Sequence, residues 1–214
     1  MKKGDLRIAF FFLNDPRLTT PGTNYTVYIN PLEAVAMTSG HVFIARSLDG
    51  YIARTDGDIA WLLAGADANE DHGYESFMKD MDGIIMGRGT FEKVLEFPSW
   101  PYEKPVIVLS KSLVDSDLPA ALRDKVRIFD LKPQALMNRL SHEGWGRAYV
   151  DGGLLIQAFL REKLIDDLII TTVPVLIGQG RPLFGPLSGD VSLTLLDSKH
   201  FPSGLVQQRY RIMR

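Results

Sequence analysis

The chain has 214 residues, with 24 Lys and Arg against 26 Asp and Glu and a formal net charge of -2. That balance excludes a basic nucleic-acid binder and a strongly acidic tail. The absence of cysteine excludes a disulfide framework, a thiolate nucleophile and Cys-bearing metal sites.

At 45% hydrophobic and 23% charged, the composition is that of a globular protein with one sizeable core. The four histidines, His41, His72, His142 and His200, show no metal-ligand spacing, so no metal is expected. The Phe10–Leu13 run is too short to span a bilayer and precedes no small-residue cleavage signal. A cytoplasmic location follows as the expectation, with no membrane partner.

Residues 1–36 differ from the rest, with two short apolar patches separated by the Thr19-Thr20-Pro21-Gly22 turn. They read as an N-terminal extension or as sequence upstream of a start at Met37, and 37–214 as the domain. Val42 to Ala45 is the first all-apolar run of that domain, the mark of a strand covered on both faces. A turn at Ser47-Leu48-Asp49-Gly50 follows, then Tyr51 to Ala53 and a second turn at Asp56-Gly57-Asp58. Between Asp71 and Met81, the spacing of Tyr74, Phe77, Met78 and Met81 predicts a helix with one buried stripe.

Gly83 to Gly87 and Val106 to Leu109 are further buried strands, with a short helix over Thr90 to Leu95 between them. Val126 to Phe129 is a weaker strand, and Lys132 to His142 a helix opening near Pro133. Ala148 to Val150 leads into Asp151-Gly152-Gly153 and a helix over Leu154 to Glu162. A strand is predicted from Leu168 to Val173, placing Asp166 and Asp167 before it on a solvated edge or dimer rim. Ser192 to Leu196 and Val206 to Ile212 have no helix between them and are expected to pair antiparallel. The fold class is therefore α/β in three layers: a mainly parallel sheet, helices on both faces and an antiparallel C-terminal edge.

Three small-residue junctions lie just beyond strand ends: Gly87-Arg88-Gly89-Thr90, Ser110-Lys111 and Asp151-Gly152-Gly153. Open α/β sheets bind ligands at the carboxyl ends of their strands. Arg88, Thr90, Ser110 and Lys111 can donate to phosphate oxygens, and Gly152-Gly153 gives close access to a helix start. A simple turn with a glycine helix entry explains the double glycine equally well. There is no GxGxxG fingerprint, so a dinucleotide has to be held in another manner. Asp49 reads either as a turn aspartate or as a partly buried acid with a raised pKa that orients or protonates substrate.

From residue 41 onward the chain resembles the dihydrofolate reductase superfamily, and within it the riboflavin-biosynthesis reductase branch. The matching stretches are Ser47–Ala53, Gly57–Leu62, Asp82–Phe91, Val108–Ser110, Asp151–Gly153, Pro174–Gly180 and Leu183-Phe184. The resemblance implies an NADPH-dependent reductase, of the 5-amino-6-(5-phosphoribosylamino)uracil reductase type, acting on a small molecule and assembling as a homodimer. It implies that Gly87, Arg88 and Thr90 contact NADPH phosphates and that Ser110 and Lys111 lie by the adenosine 2′-phosphate. By the same likeness Gly152 and Gly153 take the pyrophosphate, and Asp49 lies at the substrate end as the catalytic carboxylate. The alternatives are a dihydrofolate or pterin reductase, a non-catalytic dinucleotide-binding protein, and a structural subunit.

Overall fold

A computed structural model describes residues 37–64 and 70–213. The N-terminal extension lies outside the described residues. Strand β1 (Ser39–Ser47) runs down the middle of an eight-stranded sheet. It is followed by β2 (Tyr51–Ala53), α1 (Ala60–Ala64), α2 (Tyr74–Lys79), β3 (Gly83–Gly87), α3 (Arg88–Leu95) and β4 (Val106–Leu109). Then come β5 (Val126–Phe129), α4 (Pro133–His142), β6 (Arg147–Asp151), α5 (Gly153–Arg161) and β7 (Ile165–Val173). The chain ends with β8 (Arg181–Pro182), β9 (Leu193–His200) and β10 (Val206–Ile212).

The sheet order is β5-β4-β3-β6-β1-β7-β10-β9. All pairings from β5 to β7 are parallel, and β10 joins β7 and β9 antiparallel. The continuous apolar runs have their cause in the two faces. Val42, Ile85, Ile107 and Val150 pack with Leu136, Met137, Ile156 and Phe159 on the α4 and α5 side. Ile84, Met86, Val106, Val108 and Tyr149 pack with Phe77, Met81 and Phe91 on the α2 and α3 side. Alternate residues of one strand thus meet different helices, so neither set can be polar.

Two register facts shape the site. β1 pairs with β6 only over Ser39 to His41, then follows β7 alone as far as Ser47. β6 continues beside β3 to Asp151. The sheet therefore splits between β1 and β6 toward the carboxyl ends, and the Tyr149 hydroxyl, donating to the Phe43 carbonyl at 2.9 Å, bridges the split. Meanwhile β2 leaves the main sheet and pairs with β8 as a separate two-stranded ribbon.

One sequence expectation is corrected here. β7 begins at Ile165, so Asp166 and Asp167 lie within an interior strand. Asp167 is buried, its carboxylate 2.9 Å from His41 Nδ1. A charged pair hidden in an apolar-rich strand gives no hydropathy signal of its own. At the other edge, β9 runs to His200 and is exposed along its whole length.

Candidate functional site

The three junctions meet at the carboxyl ends of β3, β4 and β6, as neighbouring strands require. α3 starts directly at Arg88 with Gly87 as its extended N-cap, and α5 starts at Gly153 behind Gly152. The two helix starts are in contact. Gly152 has φ +96, and a Cβ there would sit 2.5 Å from Thr90 Oγ1. A Cβ on Gly153 would lie 2.8 Å from the Pro182 carbonyl of β8. Two sets of helix-terminal N–H groups and the Thr90 hydroxyl thus share one small space, suited to an anionic group.

The next strand end is built differently. Ser110 Oγ accepts from the Ser112 and Leu113 N–H groups, tightening the turn after β4. The exposed Arg88 reaches across to Ser112, Nη1 donating to Oγ at 3.2 Å. Lys111 is exposed beside it. This leaves a basic, solvent-facing rim at the β3–β4 end of the same groove.

Asp49 does not have the raised pKa expected of it. Its carboxylate accepts from Ser47 Oγ and from the Ile177 and Gly178 N–H groups, the last at 2.7 Å. The Ser47 hydroxyl first, then the Gly178 and Ile177 N–H groups, outweigh desolvation and hold its pKa below the ordinary carboxylate value. The expectation of a raised pKa fails because the turn supplies donors that stabilise the charged form. Asp49 holds the segment leading to Gly178-Gln179-Gly180 against the end of β1.

The carboxyl with the opposite character is Asp151, the last residue of β6. Burial pushes its pKa up to about 6, against the partial relief of the Gly152 N–H and the Tyr149 hydroxyl. Burial, and next the Asp151 charge, raise Tyr74 to about 12, and the same two causes push Tyr102 and Tyr149 upward. Phe43, Tyr74, Phe77 and Tyr149 make edge-on ring contacts in this part of the sheet, as do Trp100 and Tyr102. Trp100 Nε1 is buried without a partner among the described residues. A neutral-range carboxyl beside aromatic walls and an unused donor is the chemical profile of a binding crevice.

Sequence reasoning included Asp151 only as the lead-in to two glycines. Its signal was available: a carboxylate closing a buried strand, directly ahead of a helix start. Other polar and aromatic residues around these turns serve the structure. Trp61 packs with Val173 and Leu205 as a core anchor. Glu70 accepts from the Ser203 N–H and hydroxyl, and Asp71 from the Gly73 N–H. Arg54 pairs with Asp58.

Comparison with known proteins fits this geometry. A family model, the RibD C-terminal domain, matches residues 39–207. The chain belongs to the RibD C-terminal domain family. A crystal structure from Shewanella sp. PV-4, of a protein provisionally named for riboflavin biosynthesis, is similar at 40% identity and TM-score 0.78. The match covers 83% of this chain and 100% of that one. The Bacillus subtilis protein YwjB, itself uncharacterized, is 37% identical over 75% of this chain and 90% of its own length. At the level of fold alone, Enterococcus faecalis dihydrofolate reductase complexed with NADP(H) matches at 15% identity and TM-score 0.56, over 84% and 99% of the two chains. A RibD C-terminal domain thus has structural kin among reductases, and its three-layer architecture is the dihydrofolate reductase-like one. Among the described residues no helix is long and apolar enough to cross a membrane.

Proposed function

We propose that this domain is an NADPH-dependent reductase acting on a small flat heterocycle in the crevice between β1 and β6. The observation that carries the reading is the joining of two unlike features at one sheet split. The paired helix starts at Thr90 and Gly152-Gly153 suit a pyrophosphate, and Asp151 with its tyrosines suits a polar ring. The exposed Arg88 and Lys111 supply positive charge for the adenosine 2′-phosphate, with Ser110 ordering the turn that carries them.

NADPH, when bound, supplies the hydride. The protein's own contribution is placement and a proton. Protonated Asp151 donates its carboxyl proton to a ring or imine nitrogen of the substrate as charge develops there, and a pKa of about 6 keeps both forms accessible near neutrality. Tyr74 and Tyr102 stay protonated, so they act as neutral walls and hydrogen-bond donors. Asp49 serves as a positioning residue through the loop it holds. Family kinship favours a ribosylaminopyrimidine substrate of the 5-amino-6-(5-phosphoribosylamino)uracil type. A pterin is the second reading, favoured by the likeness to dihydrofolate reductase.

The test is a binding titration of the full chain with NADPH and NADH, followed by NADPH oxidation assays with the pyrimidine and with dihydrofolate. Tighter binding of NADPH and oxidation with the pyrimidine are expected. Binding without turnover on either compound returns the protein to the non-catalytic alternative. Absence of binding sinks the proposal.

A further inference from the structure

The ribbon formed by β2 and β8 holds a guanidinium over the groove that no sequence motif singled out. Arg181 opens β8 opposite Ala53, and the adjacent Gly180 has no room for a Cβ against the Ala53 carbonyl. Two residues on, the Leu183 N–H donates to the Gly50 carbonyl at 3.0 Å, and its side chain is fully buried. The backbone carrying Arg181 is thereby fixed on both sides.

Its side chain is fixed as well. Nε and Nη2 donate to the Thr55 carbonyl at 3.4 and 3.3 Å. The guanidinium lies over Gly57, where a Cβ would approach Nη2 at 3.2 Å. Nη1 lies between two glycines, 3.4 Å from the position of a Cβ on Gly57 and 3.8 Å from that of a Cβ on Gly89 in the first turn of α3. The residue after it, Pro182, touches the first turn of α5 through its carbonyl at Gly153. One exposed arginine therefore leans from the ribbon toward α3 while its neighbour meets α5.

No carboxylate lies within ion-pair distance of Arg181 among the described residues, in contrast to Arg54, Arg88, Arg127 and Arg139. A guanidinium that spends two donors on one carbonyl, keeps Nη1 within reach of the α3 start and meets no carboxylate is prepared for an anion. Gly89 has no side chain to obstruct it.

We propose that Arg181 binds the pyrophosphate of the dinucleotide, closing the groove from the β2–β8 ribbon opposite Thr90 and Gly152. This rests on the dinucleotide reading given above and adds the residue that ties the substrate-side ribbon to the cofactor. Because pyrophosphate is common to NADPH and NADH, Arg181 sets affinity for both and leaves their ratio to Arg88 and Lys111.

The experiment is a direct binding titration of the full-length wild type, Arg181→Met and Arg181→Lys with NADPH and NADH at two salt concentrations. Loss of a charge-assisted hydrogen bond predicts roughly 10- to 100-fold weaker binding of both cofactors by Arg181→Met. Arg181→Lys should keep part of the affinity, and the salt dependence should shrink in Arg181→Met. Thermal melting checks that the variants fold, and an exposed side chain predicts little change. Unchanged affinity, or a loss confined to NADPH, overturns the assignment. A wild type that binds neither cofactor fails the dinucleotide reading itself, a result distinct from failure of Arg181 alone.

Discussion

At the amino end of β1, the His41 imidazole is wedged between the Ser39 hydroxyl at 2.7 Å and the Asp167 carboxylate at 2.9 Å. At the carboxyl end of the neighbouring β6, the Asp151 carboxyl faces tyrosines and one backbone N–H. Both are polar clusters inside the same sheet, yet their charges are treated oppositely. Burial raises Asp167, but the His41 hydrogen bond and the charges of His41, Arg209 and Arg147 together bring it below the ordinary carboxylate value. For Asp151 burial wins, because no cation stands within ion-pair distance among the described residues. At the amino end the carboxylate is ion-paired, although the Arg147 Nε is buried without a partner among the described residues and a hollow of about 430 Å³ lined by His41, Arg147 and Arg211 opens beside it. The carboxyl-end carboxyl has no such cation, and under the proposed function it is the group that takes part in the chemistry.

The sharpest way to break this contrast is Asp151→Asn. If the carboxyl is the proton donor, turnover falls by about 100-fold or more while NADPH affinity stays within about twofold. The wild-type rate should decline as pH rises through about 6, and the variant should lack that step. Stability follows the same direction with pH. Folding raises this carboxyl from 3.8 to about 6, so the protein loses stability as pH climbs through that window and stays lower above it. Melting curves at pH 8 should therefore favour the Asn variant, by at most about 3 kcal/mol, and the difference should vanish below about pH 4.

His41→Ala probes the other end. It strips Asp167 of its imidazole partner inside the sheet and should cost about 3 kcal/mol in denaturant unfolding. Cofactor affinity and turnover should be unchanged. The contribution of Asp167 is present above its ordinary carboxylate pKa and is lost as pH falls through the lowered folded value, so wild type and variant should converge in acid. A turnover defect in a well-folded His41→Ala protein would erase the distinction between the two clusters.

The smallest effect is expected from Asp49→Ala. Freeing the Ile177 and Gly178 N–H groups should loosen the adjoining loop and lower NADPH affinity and turnover together, by about 3- to 10-fold. A fall in turnover alone would restore Asp49 to proton transfer.

Much of the fold was legible because period and punctuation agreed. The predicted bounds Val126–Phe129 and Val206–Ile212 coincide with β5 and β10, where apolar alternation is bracketed by turns. The start of α4 at Pro133 follows from proline's fixed φ. Short elements were not legible: α1 has five residues and β8 two, too few to show a period. The Asp49 protonation state was missed for a related reason. Its strongest donor, the Ser47 hydroxyl, is only two residues away, but the other two, Ile177 and Gly178, come from separations of 128 and 129.

The sequence by itself determined the order of strands and helices, the three-layer class and the alignment of Gly87-Arg88, Ser110-Lys111 and Gly152-Gly153 at strand ends. These depend on local periodicity and on residues whose backbone preferences are their own. Only the tertiary structure decided which carboxyl is held ionised and which is pushed toward neutrality. It alone brought Thr90 against Gly152 and leaned Arg181 toward Gly89. Those outcomes depend on burial and on partners contributed by distant segments, and charge in a protein interior is governed by what surrounds it rather than by its neighbours in the chain.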